Sequence, residues 1–186
     1  MTKAAIPQDG PLWVFGYGSL MWNPGFAFEE RLLARLPGYT RSFCMWSIHH
    51  RGTENDPGLV LALDPHVEGA CNGLAFRVPE ADRTQVLEML RERELISSAY
   101  LERFLPLDLE DGRQVEAVVY VIDTDHWQYV RDLPLERQAE VIAHAVGGRG
   151  PNTEYLYNTQ AHLDELGIGD ADLSWLAARV RQITGR

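Results

Sequence analysis

Cysteine is scarce in this chain, and positive charge is outweighed. There are two cysteines in 186 residues, Cys44 and Cys71. Each lies inside an apolar stretch and neither has the spacing of a metal knuckle, so both read as reduced core residues rather than as a disulfide. Lys plus Arg total 17 against 27 Asp plus Glu, a formal net charge of -10 at pH 7. That balance argues against a general electrostatic grip on nucleic acid or anionic lipid, so neither partner is expected and a small acidic substrate needs a local site. Long apolar runs are missing as well. No segment approaches the ~20 apolar residues of a membrane span, and the opening MTKAAIPQDGP lacks the apolar run of a signal peptide. The cytoplasm is the expected compartment. Internal repeats, low-complexity tracts and an interdomain linker are also absent.

Several chemistries lack their signatures. Gly16-Tyr17-Gly18-Ser19 follows an apolar run, yet it has neither the third glycine of a dinucleotide fingerprint nor the Gly-Lys-Ser/Thr of a P-loop. No nucleophile elbow surrounds Ser19, although a triad is a spatial arrangement and is left open.

What is present is an ordinary globular balance, with 45% hydrophobic and 24% charged residues. Short stretches rich in β-branched and aromatic residues read as strands: LWVFGYG, TRSFCMWSIHH, GLVLALD, GLAFRV, LERFLPLDL and QVEAVVYVID. Turn signals separate them at Pro37-Gly38, Asp56-Pro57-Gly58, Glu68-Gly69 and Asp111-Gly112, the last being the clearest hairpin. PEADRTQVLEMLRERELIS starts with proline and acids, as a helix N-terminus prefers. Toward the end, LERQAEVIAHAV stops at Gly147-Gly148 and NTEYLYNTQAHLDEL stops at Gly167. Leu173, Leu176, Val180 and Ile183 mark one face of a last helix. The expected fold class is α+β, a small, mostly antiparallel β-barrel flanked by helices. Residues 1–11 read as a flexible N-terminal arm and 12–186 as a single domain.

The middle helix carries an anomaly. At about 100° per residue, Glu94 falls within roughly 40° of both Leu87 and Leu90, whereas Glu88 and Glu92 point away. A carboxylate driven toward an apolar face loses hydration, its pKa rises, and it becomes a better proton acceptor. The competing account leaves Glu94 exposed at a fraying end, or paired with Arg91 or Arg93. The glycine-serine loop also has two accounts. It is either a bulge or tight turn, or a surface bare enough for backbone N–H groups to hold a carboxylate or oxyanion. His49-His50-Arg51-Gly52 contacts an anionic substrate or caps a strand. Tyr120 alternates with Val119 and Val121, and so lines a barrel interior or joins an outer aromatic cluster.

Taken in order, VFGYGSLMWNP, HHRG, PGLVLALD, GLAFRVP, RELISSAY, VYVID and NTEYLYN resemble the ChaC family of glutathione-specific γ-glutamylcyclotransferases, over roughly residues 12 to 180. The resemblance implies the γ-glutamylcyclotransferase-like fold and cleavage of glutathione to 5-oxoproline and Cys-Gly, without metal or cofactor. It implies a substrate loop made of Val14, Phe15, Gly16, Tyr17, Gly18, Ser19 and Leu20. Glu94 matches the catalytic glutamate, and Arg51 and Tyr120 fall at positions around the substrate. Ser97-Ser98 stands where relatives often carry a glycine. Two other functions stay open: cyclisation of other γ-glutamyl amines or peptides, and a non-catalytic binding module for a γ-glutamyl metabolite.

Overall fold

A computed structural model describes residues 10–95 and 97–185. Most of the expected N-terminal arm, residues 1–9, lies outside them, as does Ile96 of the RELISSAY stretch. The chain forms two compact units, one of Met1–Arg41 with Leu63–His126 and one of Ser42–Ala62 with Trp127–Arg186.

The first unit is built on strands. They are β1 (Leu12–Gly16), β2 (Glu30–Ser47), β3 (Gly58–Val78), β4 (Tyr100–Leu109) and β5 (Gln114–Ile122), with helix α1 (Arg83–Glu94) between β3 and β4. They close a barrel in the order β1-β3-β2-β4-β5, β5 returning beside β1. β1 runs antiparallel to β3 and parallel to β5, and β4 runs antiparallel to both β2 and β5. Closure leaves no open edge, and the buried core includes Val14, Phe15, Phe76, Val118 and Tyr120. Asp111-Gly112 makes the expected β4–β5 hairpin, with Gly112 at a φ of 87°, which a side chain would disfavour.

Two expected turns are not turns. Pro37-Gly38 lies inside β2, which starts at Glu30, in a stretch with no strand expectation. Glu68-Gly69 lies inside β3, so GLVLALD and GLAFRV belong to one continuous strand. The reason is a close approach between chains. A Cβ at Gly69 would stand 2.6 Å from the Thr40 methyl on the neighbouring β2, so the missing side chain serves strand packing rather than chain reversal.

The second unit holds the ends of β2 and β3, helices α2 (Leu135–His144), α3 (Asn152–Glu165) and α4 (Ala171–Thr184), and a two-stranded ribbon of β6 (Val146–Gly147) and β7 (Gly150–Pro151). Its three helices pack on one another. The expected apolar face of α4 is buried at Leu173, Leu176 and Val180, and Asp170 caps the helix by accepting from the Leu173 N–H at 3.0 Å. Cys44 and Cys71 are both buried. Among the described residues, no helix is long and apolar enough to cross a membrane.

Candidate functional site

β1 is buried along its whole length and ends at Gly16, where the chain folds back over itself. A Cβ at Gly16 would lie 3.2 Å from the Leu20 Cβ and 3.3 Å from the Met21 nitrogen. From β3, Gly73 presses on the same point, since a Cβ there would fall 2.3 Å from the Gly16 carbonyl oxygen. Two glycines therefore let the strand end and its neighbour meet. The loop continues as a single 3-10 turn, Ser19–Met21, whose Met21 N–H donates to the Gly18 carbonyl at 2.9 Å. Arg41, buried in β2, fastens the loop to β3 by donating to the Tyr17 carbonyl at 2.7 Å and to the Asn72 carbonyl at 2.5 Å.

Helix α1 brings the glutamate. Val86, Leu87 and Leu90 are buried, Glu88 and Glu92 are exposed, and the Glu94 side chain is 19% exposed at the last turn. Loss of hydration there pushes the Glu94 pKa above the ordinary glutamate value, and the adjacent Arg93 charge partly opposes the rise. The pairing foreseen in the competing account is also present, with Arg93 Nε 3.2 Å from Glu94 Oε1. The same guanidinium reaches the loop, donating to Ser19 Oγ at 2.9 Å and to the Asn23 carbonyl at 2.8 Å. One arginine thus ties the end of α1 to the glycine-serine loop. Beyond α1, Ser98 takes a φ of 58° without being glycine.

Tyr120 lies on β5, opposite Glu102 of β4, with 2% of the residue exposed. Its hydroxyl donates to Glu102 Oε2 at 3.1 Å. Glu102 is itself only 5% exposed and receives a forked pair of bonds from α1, Arg91 Nε to Oε2 at 2.8 Å and Arg91 Nη2 to Oε1 at 2.7 Å. Burial raises the Tyr120 pKa most, followed by the Glu102 charge and hydrogen bond; Arg91 opposes the rise and Glu94 adds to it. The phenol stays neutral at any physiological pH, and it lies within the electrostatic reach of Glu94.

The loop residues Val14 to Leu20, Glu94 and Tyr120 all belong to the first unit. Arg93 and Arg91, two residues apart on α1, connect the loop and Tyr120 to one helix. Arg51 belongs to the second unit. There its guanidinium donates to the Pro151 carbonyl at 3.1 Å and to Glu154 at 3.3 Å, and lies over the Tyr155 ring. The backbone carbonyls of His49 and His50 accept from Gly148 and Arg149, so the HHRG turn is pinned by its main chain. Sequence reasoning missed Arg41 and Glu102, and raised Arg91 and Arg93 only as pairing partners of Glu94. A signal existed for two of them: Arg41 shares the strand alternation of Phe43 and Met45, and Glu102 shares that of Tyr100 and Phe104. Charges in the register of large apolar residues mark inward polar groups, whereas nothing local distinguishes Arg91 or Arg93 from solvated helix arginines.

The sequence matches the family described as ChaC-like protein over residues 12–183. It is 41% identical to the glutathione-specific γ-glutamylcyclotransferase of Escherichia coli K12, over 98% of this chain and 78% of that one. It is 34% identical to the glutathione-specific γ-glutamylcyclotransferase of Schizosaccharomyces pombe, over 90% of each chain. In fold it is similar to a yeast γ-glutamyl cyclotransferase specific to glutathione, with a TM-score of 0.83 across 94% of this chain and 97% of that one, at 24% identity.

Proposed function

The chain belongs to the ChaC-like family, and from that premise we propose that it is a glutathione-specific γ-glutamylcyclotransferase with Glu94 as its proton-transfer group. The observation that carries the assignment of Glu94 is its position: a carboxylate with a raised pKa at the end of an apolar helix stripe, joined through Arg93 to the Gly16–Ser19 loop.

The reaction is intramolecular. The α-amine of the γ-glutamyl group attacks its own γ-carbonyl carbon, a C–N bond forms, the bond to the cysteinyl nitrogen breaks, and 5-oxoproline and Cys-Gly separate. Nucleophile and electrophile arrive in one molecule, so good orientation alone can contribute ~7 to 11 kcal/mol. The protein then has two tasks, folding the substrate and moving one proton. The N–H groups at the start of the Ser19–Met21 turn, which such a turn leaves without internal partners, suit the α-carboxylate. Glu94 takes a proton from the α-ammonium and returns it to the departing amine, a contribution typically of ~10²- to 10⁴-fold. The second proton that the α-nitrogen sheds on becoming the ring N–H passes through solvent to the released amine of Cys-Gly. Desolvation matches the carboxylate to this work, since a glutamate with the ordinary pKa holds a proton too weakly at neutral pH to deliver it efficiently.

Incubation with glutathione and, separately, with γ-Glu-Ala, followed by mass spectrometry of 5-oxoproline, tests the function. Turnover of glutathione alone is the expected result. Turnover of γ-Glu-Ala at a comparable rate points to a broader γ-glutamyl substrate, and turnover of neither points to a binding module. Glu94→Gln should abolish turnover while glutathione still binds, because the shape of the side chain survives and the proton acceptor does not. An active Glu94→Gln beside an inactive Glu92→Gln would move the base.

A further inference from the structure

The hydrogen bonds around Tyr120 have a direction that decides what its hydroxyl can do for a substrate. Glu102 receives two guanidinium donors from Arg91, one on each carboxylate oxygen, and Oε2 also faces the Tyr120 hydroxyl at 3.1 Å. A carboxylate held this way acts as acceptor only, so the phenol supplies the proton of that third bond. A phenol has one proton. Once it is committed to Glu102, the Tyr120 oxygen presents only lone pairs to any further partner. Arg91 and Glu102 come from different elements, α1 and β4, and the cross-strand pairing of Glu102 with Tyr120 fixes the hydroxyl in place.

We propose that Tyr120 is a hydrogen-bond acceptor for the α-ammonium of the γ-glutamyl substrate, and that Glu102 and Arg91 are positioning residues that impose this polarity. The inference rests on the γ-glutamyl function proposed above and adds a role to it. In the ring-closing step Glu94 removes one ammonium proton while Tyr120 receives a second N–H, so the freed lone pair is turned toward the γ-carbonyl carbon. No bond to Tyr120 forms or breaks. The same polarity rules out Tyr120 as donor to the developing negative charge on the γ-carbonyl oxygen, and that donor lies elsewhere in the site.

Binding in a non-turnover background separates the possibilities. Calorimetry on Glu94→Gln and on Glu94→Gln/Tyr120→Phe would use two probes, glutathione and glutaryl-Cys-Gly, which differ only in the α-amino group. The phenylalanine variant should lose roughly 10- to 100-fold in affinity for glutathione, the range for a hydrogen bond to a charged group, and almost none for glutaryl-Cys-Gly. Glu102→Gln offers an amide N–H in place of the accepting oxygen. In the same background it should reproduce the selective loss and add nothing further when combined with Tyr120→Phe. Tyr120→Phe removes one buried oxygen, so it keeps the test available if Glu102→Gln fails to fold. Equal loss for both probes, or no loss for either, overturns the acceptor role. A wild-type protein that forms no 5-oxoproline from glutathione overturns instead the function on which the inference rests.

Discussion

At the scale of single residues, Arg93 has two separable jobs, one done by its charge and one by its shape. Its charge opposes the rise of the Glu94 pKa, and its planar fork holds Ser19 and Asn23. Arg93→Gln removes both, so the acidic limb of the kcat/KM profile should move to higher pH as KM rises. Arg93→Lys keeps the charge and loses the fork, so KM should rise with the acidic limb in place. Glu94 also sets a cost in stability. Its folded pKa lies above the unfolded value, so folding is disfavoured once the pH exceeds the folded pKa, and the penalty vanishes below the unfolded pKa. Glu94→Gln should therefore melt at a higher temperature than the wild type near neutral pH, and the gap should close as the pH falls through the ordinary glutamate range. Ser98 is a simpler case. Its φ of 58° lies where an L side chain costs about 1–2 kcal/mol, part of which glycine returns as backbone entropy, so Ser98→Gly should stabilise by up to about 1 kcal/mol in denaturant titration.

At the scale of elements, the first residue of α3 completes a strand. Asn152 is fully buried, and its side-chain amide meets both backbone groups of Leu59 in β3, accepting from the N–H at 2.7 Å and donating to the carbonyl at 2.8 Å. Such a pair imitates the bonding of a neighbouring strand, and it explains an asparagine that NTEYLYN presents as a plain helix start. Asn152→Leu would leave two buried backbone groups without partners, at about 1–3 kcal/mol each, and should lower the melting temperature by several degrees. Strands and helices were legible to different degrees. Every expected helix is present because its apolar spacing is local. Two expected turns failed because a glycine serves equally to reverse a chain and to let two strands touch, and only the Thr40 methyl shows which applies at Gly69.

At the scale of the whole molecule, the excess of acids is a field rather than a fold determinant. Glutathione carries net negative charge at neutral pH, and the chain has a formal charge of -10. Surface repulsion acts over about 30 Å at 0.01 M salt and about 8 Å at 0.15 M. KM for glutathione should therefore fall as salt is raised across that range, with kcat unchanged. A rise in KM would mean that the site's own attraction for the substrate carboxylates outweighs the surface.

The order of strand-forming and helix-forming segments and the Asp111-Gly112 hairpin follow from the sequence by itself, and the apolar stripe of the middle helix offers the inward register of Glu94 as one of two readings. Each is a periodicity or a backbone preference settled within a turn or two of chain. The tertiary structure alone decided that Arg93 spans Glu94 and Ser19, that Arg41 holds the Tyr17 carbonyl, and that Arg91 and Glu102 orient Tyr120. Apart from the neighbouring Arg93 and Glu94, these contacts join residues from 11 to 74 positions apart. A guanidinium or carboxylate reads the same in sequence whether water or a distant strand receives it, so only closure of the barrel could distinguish them.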